Sequence, residues 1–309
     1  MLFNPIAGGG HAAGAARALQ AKLEGAGHHR IDLVESRPGA ETSWLDPLLA
    51  GSDLLVVVGG DGAVRLAASA AMRTGTAIYQ LPLGTENLFA REWGMNRSAA
   101  TLVRAIAVDE VVEIDVGRAD GECFVLMASV GYDAEVVHEL AAKRRGGISH
   151  LSYLAPMLRS LRGFASPRLR VVADGRRIDD DGPGFVIVGN SRQYAMRVNP
   201  ACDASMEDGR LDVVYFPTAN IAELLTWMVT CTLGRHRRNP RLVYATAERI
   251  TIESDLPFRH QLDGDPPWNA RQGSNRLEIE VVPRALRVLV AARSARTGRS
   301  KPEQSCERR

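Results

Sequence analysis

Hydrophobic and polar positions follow two regimes along the chain. Before residue 111, short apolar runs end in glycine-rich turns and lead into stretches with apolar residues three and four apart. The clearest is Leu-Leu-Val-Val-Val at 54–58, which reads as a buried strand, followed by Gly59, Gly60, Asp61 and Gly62. Leu66, Ala67, Ala70 and Ala71 then mark a helix over 63–72. The same grammar predicts a short strand at the start, a helix over 11–23, a strand at 31–34 and a helix over about 41–49. A strand at 77–81, a helix opening near 85–88 and another over 99–107 complete the region. Strands alternating with helices predict an α/β layered domain with a largely parallel sheet.

After residue 111 the pattern changes. Strands are predicted at 111–117, 122–129, 169–172, 184–188, 211–216, 249–253, 277–282 and 285–290, with turn signals between them. Helical stretches fall at 134–145, 151–162 and 221–233. This is the signature of an antiparallel β-rich domain. The expected division is an α/β domain over 1–112, a β-rich domain over 113–292 whose last strand could return to the first domain, and a tail over 293–309. That tail carries six basic and two acidic residues and no large apolar ones, so it is expected to be disordered.

The glycine turns carry the candidate chemistry. A strand, a glycine turn and a helix aim backbone N–H groups at one point, where phosphate oxygens are stabilised. Glycine lets a ligand come close to the backbone. Asp61 within Gly-Gly-Asp-Gly would repel phosphates unless Mg²⁺ or an attacking hydroxyl stood between. The plainer reading makes Asp61 a helix N-cap. Two further loops share the design: Asn4-Pro5 with Gly8-Gly9-Gly10, and Pro82-Leu83-Gly84-Thr85-Glu86-Asn87, where Thr85 could contact phosphate or serve as an N-cap. Arg91 could balance negative charge. All three loops fall at the carboxyl ends of predicted strands, where ligands bind in open α/β sheets.

Composition narrows the classes. Of 309 residues, 45% are hydrophobic and 24% charged, as in a soluble globular protein. The net charge is +2, and with the tail set aside the body is slightly acidic, which argues against nucleic acid as a partner. The only lysines are Lys22, Lys143 and Lys301, none in a Gly-Lys-Ser/Thr or Val-Ala-Ile-Lys setting, so a Walker-type P-loop and a protein-kinase fold are excluded. Cys123, Cys202, Cys231 and Cys306 show no C-x-x-C spacing, which argues against a zinc site and for reduced thiols in the cytoplasm. No leader and no membrane span are expected. The apolar stretch 221–233 ends in Gly234-Arg235-His236-Arg237-Arg238, so it either packs on the sheet or docks at the periphery of an anionic membrane. No feature fixes an oligomeric state.

With these residues in hand, the chain resembles the diacylglycerol kinase catalytic-domain family, which includes bacterial soluble lipid kinases and sphingosine kinases. The matching stretches are Asn-Pro-x-x-Gly-Gly-Gly at 4–10, Gly-Gly-Asp-Gly at 59–62 and Pro-Leu-Gly-Thr-x-Asn-x-Phe-Ala-Arg at 82–91. Ile114-Asp115-Val116-Gly117, Gly131-Tyr132-Asp133-Ala134, Met196-Arg197 with Pro200, Asp208-Gly209-Arg210-Leu211-Asp212 and Leu262-Asp263-Gly264-Asp265-Pro266 follow in order. The resemblance implies an NAD kinase-like fold: an N-terminal three-layer α/β nucleotide-binding domain and a C-terminal antiparallel β-sandwich. It implies transfer of the γ-phosphoryl group of ATP, with Mg²⁺, to a hydroxyl of diacylglycerol or a related sphingoid-type lipid. By the same resemblance, Asp265 stands at the place of the general base and Asp61 and Asp115 match carboxylates of a Mg²⁺ and water network. Asn4, Gly9, Gly59, Gly60, Asp61, Gly62, Ala63, Gly84, Thr85 and Asn87 match the nucleotide-binding positions. A structural metal in some members corresponds to Asp208 with the carbonyls of Ser205 and Arg210.

The chain departs from that family's pattern at several points. Ala63 stands for the Thr after Gly-Gly-Asp-Gly, and Arg65 and Leu66 for the Asn-Glu beyond it. Leu88 replaces a carboxylate of the metal network, Glu35 stands where a nucleotide-contacting Thr is common, and Asp265 is one methylene shorter than the family's Glu. Two other readings therefore stay open: a non-catalytic nucleotide- or lipid-binding relative, and a small-molecule kinase of the NAD kinase type.

Overall fold

The computed structural model describes residues 1–28, 30–37, 39, 41–143, 166–180, 182–269 and 273–291. In chain order the first elements are β1 (Leu2–Phe3), α1 (Ala12–Gly25), β2 (Val34–Glu35), α2 (Asp46–Leu49), β3 (Leu54–Gly59), α3 (Asp61–Thr74), β4 (Ala77–Pro82), α4 (Leu88–Glu92), α5 (Ala99–Val108) and β5 (Val111–Ala119). Then come β6 (Glu122–Phe124), β7 (Met127–Val130), α6 (Tyr132–Lys143), β8 (Arg170–Ala173), β9 (Arg176–Arg177), β10 (Gly184–Gly189), β11 (Leu211–Pro217), α7 (Ile221–Thr232), β12 (Val243–Ala247), β13 (Arg249–Phe258), β14 (His260–Leu262) and β15 (Ser274–Leu289). The described residues fall into two compact units, one holding Met1–Ile114 and the chain from Arg284, the other running from Asp115 to Pro283.

The first unit is built on parallel strands in the order β2-β1-β3-β4, with the end of β15 beside β4 at Val288 and Ile78. β3 and β4 are buried almost throughout, as expected of strands covered on both faces. The order reverses direction between β1 and β3, because β2 lies on one side of β1 and β3 on the other. Loops leaving β1 and β3 at such a reversal part from each other and open a crevice at the carboxyl ends of the strands.

The second unit is an antiparallel sandwich. One layer runs β15-β13-β8-β9 with β5 and β6 alongside, the other β12-β11-β10-β7-β14. Alternation along β10 and β11 explains why the two strands, Asp212 apart, carry apolar residues on both faces. Val186, Val188, Leu211, Val213 and Tyr215 enter the core between the layers with Val171, Ile250, Ile252 and Ile279. Phe185, Ile187, Val214 and Phe216 point to the opposite face, where Leu224, Trp227 and Cys231 of α7 cover them. Phe185 and Phe216 stack at 4.6 Å and Trp227 meets Phe216 edge-on at 5.4 Å.

Five of the predicted elements differ. The strand at 31–34 is reduced to Val34–Glu35, since β1 offers only Leu2 and Phe3 to pair with it. The helix at 41–49 is a 3₁₀ turn over Ser43–Leu45 followed by α2, because Pro47, lacking an N–H, starts a new helix rather than continuing the old one. The strand at 122–129 splits at Val125 and Leu126, whose N–H groups go to the Asp263 carboxylate instead of a ladder. The two strands ending the domain are one, β15, which bends at Arg284 (φ 52°) and keeps its direction past Pro283. The helix at 151–162 and the tail at 293–309 lie outside the described residues.

Gly117 on β5 faces Phe124 on β6, and a Cβ at Gly117 would collide with the Phe124 ring. Gly117→Ala is expected to cost about 1–3 kcal/mol by overpacking, read as a lower urea midpoint. An unchanged midpoint would show that the ring can move aside.

Candidate functional site

Three loops of the first unit meet at the carboxyl ends of β1, β3 and β4. The Asn4 N–H bonds the Val58 carbonyl at 3.2 Å, and the Leu83 N–H bonds the Gly59 carbonyl at 3.0 Å. Gly60 and Gly84 pass backbone against backbone: a Cβ on Gly84 would sit 2.5 Å from the Gly60 Cα. No side chain fits there, so the glycines are required by tertiary packing as well as by ligand approach. Gly8, Gly9 and Gly10 all have positive φ (59°, 68° and 90°), and a Cβ on Gly10 would have nothing within 4 Å. That loop therefore presents bare backbone. Asn87, itself left-handed at φ 52°, closes the third loop by accepting the Gly84 N–H at 2.7 Å and donating to the Gly84 carbonyl at 2.8 Å. The structure thus brings Asn4, Gly59, Gly60, Gly84 and Asn87 together, with Gly62 and Ala63 in the first turn of α3. Gly9 stands on the first loop and Thr85 on the third.

Asp61 takes a part the sequence does not announce. It is the first residue of α3, whose N-cap is Gly60. Its carboxylate instead accepts the N–H groups of Leu88 and Phe89, each at 3.0 Å, at the start of α4. Gln80, fully buried on β4, accepts the next N–H, Ala90, at 2.8 Å, and donates to the Gly59 carbonyl at 3.1 Å. The unpaired donors of the α4 N-terminus are therefore consumed within the protein and are not offered to a phosphate. In the first turn of α3 the Ala63 N–H already bonds the Gly60 carbonyl at 3.0 Å, so the Gly62 N–H is the candidate anion contact of this helix. The N-cap of α4 is Asn87, and the Thr85 alternative does not hold. Arg91 is paired with Glu86 at 3.3 Å, so its charge is already offset. Ala63 and Leu88 are buried, which puts two of the family departures in the apolar packing under the loops.

The second unit holds the other predicted residues in two groups. Asp115 on β5 is fully buried. One of its carboxylate oxygens accepts the Gly209 N–H at 2.7 Å and its backbone N–H bonds the Met206 carbonyl at 2.7 Å, so it is tied to the turn carrying Asp208. In that turn the Ser205 hydroxyl accepts the Glu207 N–H at 3.3 Å and the Asp208 carboxylate accepts the Arg210 N–H at 3.0 Å. Asp212, just beyond, has its carboxyl pushed up to about 6, by burial first and then by the negative charge of Asp208 and Asp203. The Tyr244 hydroxyl, donating at 2.6 Å, pulls the other way.

The second group is built around Asp263. This buried carboxylate accepts the N–H groups of Val125, Leu126 and Met127 at 2.7, 2.7 and 3.0 Å. It anchors the tight turn in which Leu262 and Asp265 exchange backbone hydrogen bonds of 2.9 and 3.0 Å, and so fixes where Asp265 stands. The Gly264 N–H donates to Gln261 at 2.7 Å, and the Gln261 amide donates onward to Ser129 at 2.9 Å and Asp133 at 3.1 Å. Loss of water around Asp133 raises its carboxyl above the ordinary range, against hydrogen bonds from Ser129, Tyr194 and Gln261. Asp263 and Asp133 belong to the family stretches but carried no role there, and Gln261 was not singled out. A place in or beside the Gly131-Tyr132-Asp133-Ala134 and Leu262-Asp263-Gly264-Asp265 stretches was the available signal.

Among the described residues no three His, Cys, Asp or Glu side chains converge to hold a metal. Asp61 and Asp115 each spend carboxylate oxygens on backbone N–H groups and lie in different units. Each carboxylate, taken by itself, suits a Mg²⁺ that draws most of its ligands from phosphate and water. The 205–210 turn offers one carboxylate and backbone carbonyls, hard oxygens of the kind Mg²⁺ or Ca²⁺ takes.

A parallel α/β unit with bare glycine loops at its switch point, followed by an antiparallel sandwich, is an NAD kinase-like architecture. An NAD kinase from Archaeoglobus fulgidus in complex with ATP superposes with a TM-score of 0.53 at 14% identity, over 97% of this chain and 96% of that one. The chain belongs to the diacylglycerol kinase family: the diacylglycerol kinase catalytic domain profile matches residues 1–119, and the YegS C-terminal NAD kinase beta sandwich-like domain matches residues 126–290. It is 30% identical to a diacylglycerol kinase of Mycobacterium tuberculosis (strain ATCC 25618 / H37Rv) over 302 residues, 93% of each chain. It is 25% identical to a diacylglycerol kinase of Bacillus subtilis (strain 168) over 259 residues, 81% of this chain and 83% of that one. A crystal structure of a diacylglycerol kinase from Bacillus anthracis str. Sterne has a TM-score of 0.68 at 21% identity, covering 94% and 95% of the two chains.

An acid whose pKa is higher folded than unfolded favours folding below the unfolded value and loses that contribution as pH rises through the folded one. Asp212 therefore predicts a urea midpoint that falls as pH rises from about 4 to about 6. Asp212→Asn should flatten that fall, leaving the same-signed slope due to Asp133. Gly84→Ala should lower stability by about 1–3 kcal/mol and weaken nucleotide binding, measured by calorimetry.

Proposed function

We propose that this protein is an ATP-dependent lipid kinase, transferring the γ-phosphoryl group to a hydroxyl of diacylglycerol or a related sphingoid-type lipid. The observation that carries the reading is the set of glycine loops, with Gly60 packed against Gly84, bare backbone within the stretch matched by the diacylglycerol kinase catalytic domain. The Gly62 N–H at the start of α3 and the loops bearing Asn4, Gly9, Gly84, Thr85 and Asn87 bind and orient the triphosphate. They take over the work of the absent P-loop lysine. Mg²⁺, when bound with the nucleotide, supplies neutralisation of charge on the transferring group, with Asp61 and Asp115 as the carboxylates that would hold its water shell. Phosphoryl transfer asks for positioning and charge balance more than for covalent chemistry, which suits a site made of backbone.

Asp265 is the general base in this reading. Its carboxylate takes the proton of the acceptor hydroxyl as the oxygen attacks phosphorus. Asp263 and Gln261 position it by holding the turn from both ends. Asp208, with the carbonyls of Ser205 and Arg210, is the proposed place of a structural cation that would relieve the charge Asp212 feels. The buried Ala63 and Leu88 favour a site with fewer polar groups around the phosphates than the family pattern, which bears on rate rather than on reaction class.

The test is γ-labelled ATP with Mg²⁺ and a total lipid extract. A labelled lipid is expected with the wild-type protein, with a loss of about 10²-fold or more in kcat for Asp265→Asn and for Asp61→Ala. Nucleotide binding without any labelled lipid would instead support a non-catalytic binding relative, and labelling of NAD would support a small-molecule kinase. Full activity of both variants would remove the assigned roles.

A further inference from the structure

Asn190, just past the end of β10, is fully buried. Its side-chain amide donates twice, to the Asp115 carbonyl at 2.8 Å and to the Val125 carbonyl at 2.7 Å. Two carbonyls on that side fix which end of the amide carries nitrogen, because an oxygen there would face two acceptors. The other end, Oδ1, is buried and has no donor among the described residues. A buried acceptor left unpaired is destabilising. What the amide supplies against that cost is a fixed distance between two carbonyls.

Those carbonyls need a donor because a strand ladder stops beside them. β5 and β6 pair antiparallel from Ala119 with Glu122 to Gly117 with Phe124. Continued in the same register, Val116 would meet Val125 and Asp115 would meet Leu126. The ladder ends because the Asp263 carboxylate claims the N–H groups of Val125 and Leu126, at 2.7 Å each. Asn190 enters where the strands part and bridges them. The backbone adds to the bridge: the N–H groups of Asn190 and Ser191 both donate to the Leu126 carbonyl, at 2.8 and 3.0 Å. Each bridged segment leads to a carboxylate of the proposed mechanism. On β5 it is Asp115 itself. On the other side, the 125–127 segment is tied to Asp263, whose N–H returns to the Met127 carbonyl at 2.9 Å, and Asp265 follows in the same turn.

We propose that Asn190 is a positioning residue for phosphoryl transfer: its amide replaces the missing ladder between β5 and the 125–127 segment, and so holds Asp115 at a fixed offset from the turn that bears Asp265. This rests on the lipid kinase reading and deepens it, since it names what keeps two of its carboxylates in register. Asn190 touches neither nucleotide nor lipid in this scheme. It acts through Asp115 and Asp265, and a displacement of about 1 Å at a reacting group can slow a reaction about 10²-fold. Without the amide, Asp115 keeps its bond from the Gly209 N–H and Asp263 keeps its three N–H donors, so each local cradle survives and only their relation loosens. Nucleotide binding is assigned to the glycine loops of the first unit, so the effect falls on kcat.

The variants are Asn190→Ser, whose hydroxyl is too short to reach both carbonyls, and Asn190→Asp, which keeps the shape and turns an acceptor on them. Transfer from γ-labelled ATP to lipid is measured for each in the full chain, alone and combined with Asp265→Asn. Alone, each should lower kcat about 30-fold or more and leave KM for ATP within about twofold. Combined with Asp265→Asn, which leaves no base to misplace, the same substitution should cost about threefold or less. A merely structural role would lower activity equally in both backgrounds. Amide hydrogen exchange, read without substrate, should quicken in peptides spanning 125–127 and stay as in wild type over β3. Equal losses in the two backgrounds, an unchanged kcat or unchanged exchange overturns the proposal. So does the lack of a cooperative melt in both variants, which would make Asn190 a residue of folding alone. Wild type that binds ATP and labels no lipid removes the kinase reading and this role with it. Lipid labelling by wild type with equal losses removes this role alone.

Discussion

The approach of Gly60 to Gly84 is the constraint on which the first unit depends. Two loops cross with no space for a side chain on either. Once they cross, the start of α4 lies beside the start of α3, and its N–H groups must find acceptors or remain unpaired at a cost. Asp61 and Gln80 supply them. A residue that reads as catalytic is therefore also a structural cap. The two roles are compatible, because a carboxylate that accepts one N–H on each oxygen still has lone pairs for a water or a cation.

The second unit repeats this economy of carboxylates. Asp263 is spent on three backbone N–H groups at the corner where the chain passes from β6 to β7. Asp115 is spent in part on the turn at Gly209. Asp265 stands on a turn whose Gly264 N–H is held by Gln261, which in turn donates to Ser129 and Asp133. A base must be within reach of one proton and no further, and a shift near 1 Å is costly. In the proposed mechanism the placing of Asp265 therefore depends on the turn that Asp263 and Gln261 hold.

Strands that alternate into two apolar layers explain the surface as well as the core. β10 and β11 feed one set of side chains between the sheets and the other set to α7. That second layer takes only one face of α7, which leaves Ile221, Leu225, Val229 and Leu233 exposed.

Short-range patterns were enough for the two regimes of the chain, for the glycine loops at the ends of parallel strands and for the antiparallel character of the second half. These are properties of periodicity and of residues with special backbone freedom, which are local. Where partners decide, sequence alone was insufficient. A single strand passes through Pro283 and Arg284, where the residues signal a turn, because its neighbour changes from β13 to β4. The 122–129 run breaks because a carboxylate from residue 263 claims its N–H groups. The cap on α4 comes from Asp61 and Gln80, the cradle under Asp265 from Gln261 and Asp133, and the exposed stripe of α7 from what its other face already covers. Each depends on which distant backbone arrives beside a polar or apolar group. The sequence by itself determined what kind of elements form and which residues could carry chemistry; only the tertiary structure decided which of those groups are spent on holding the fold, because a hydrogen bond has one donor and the folded chain chooses its acceptor.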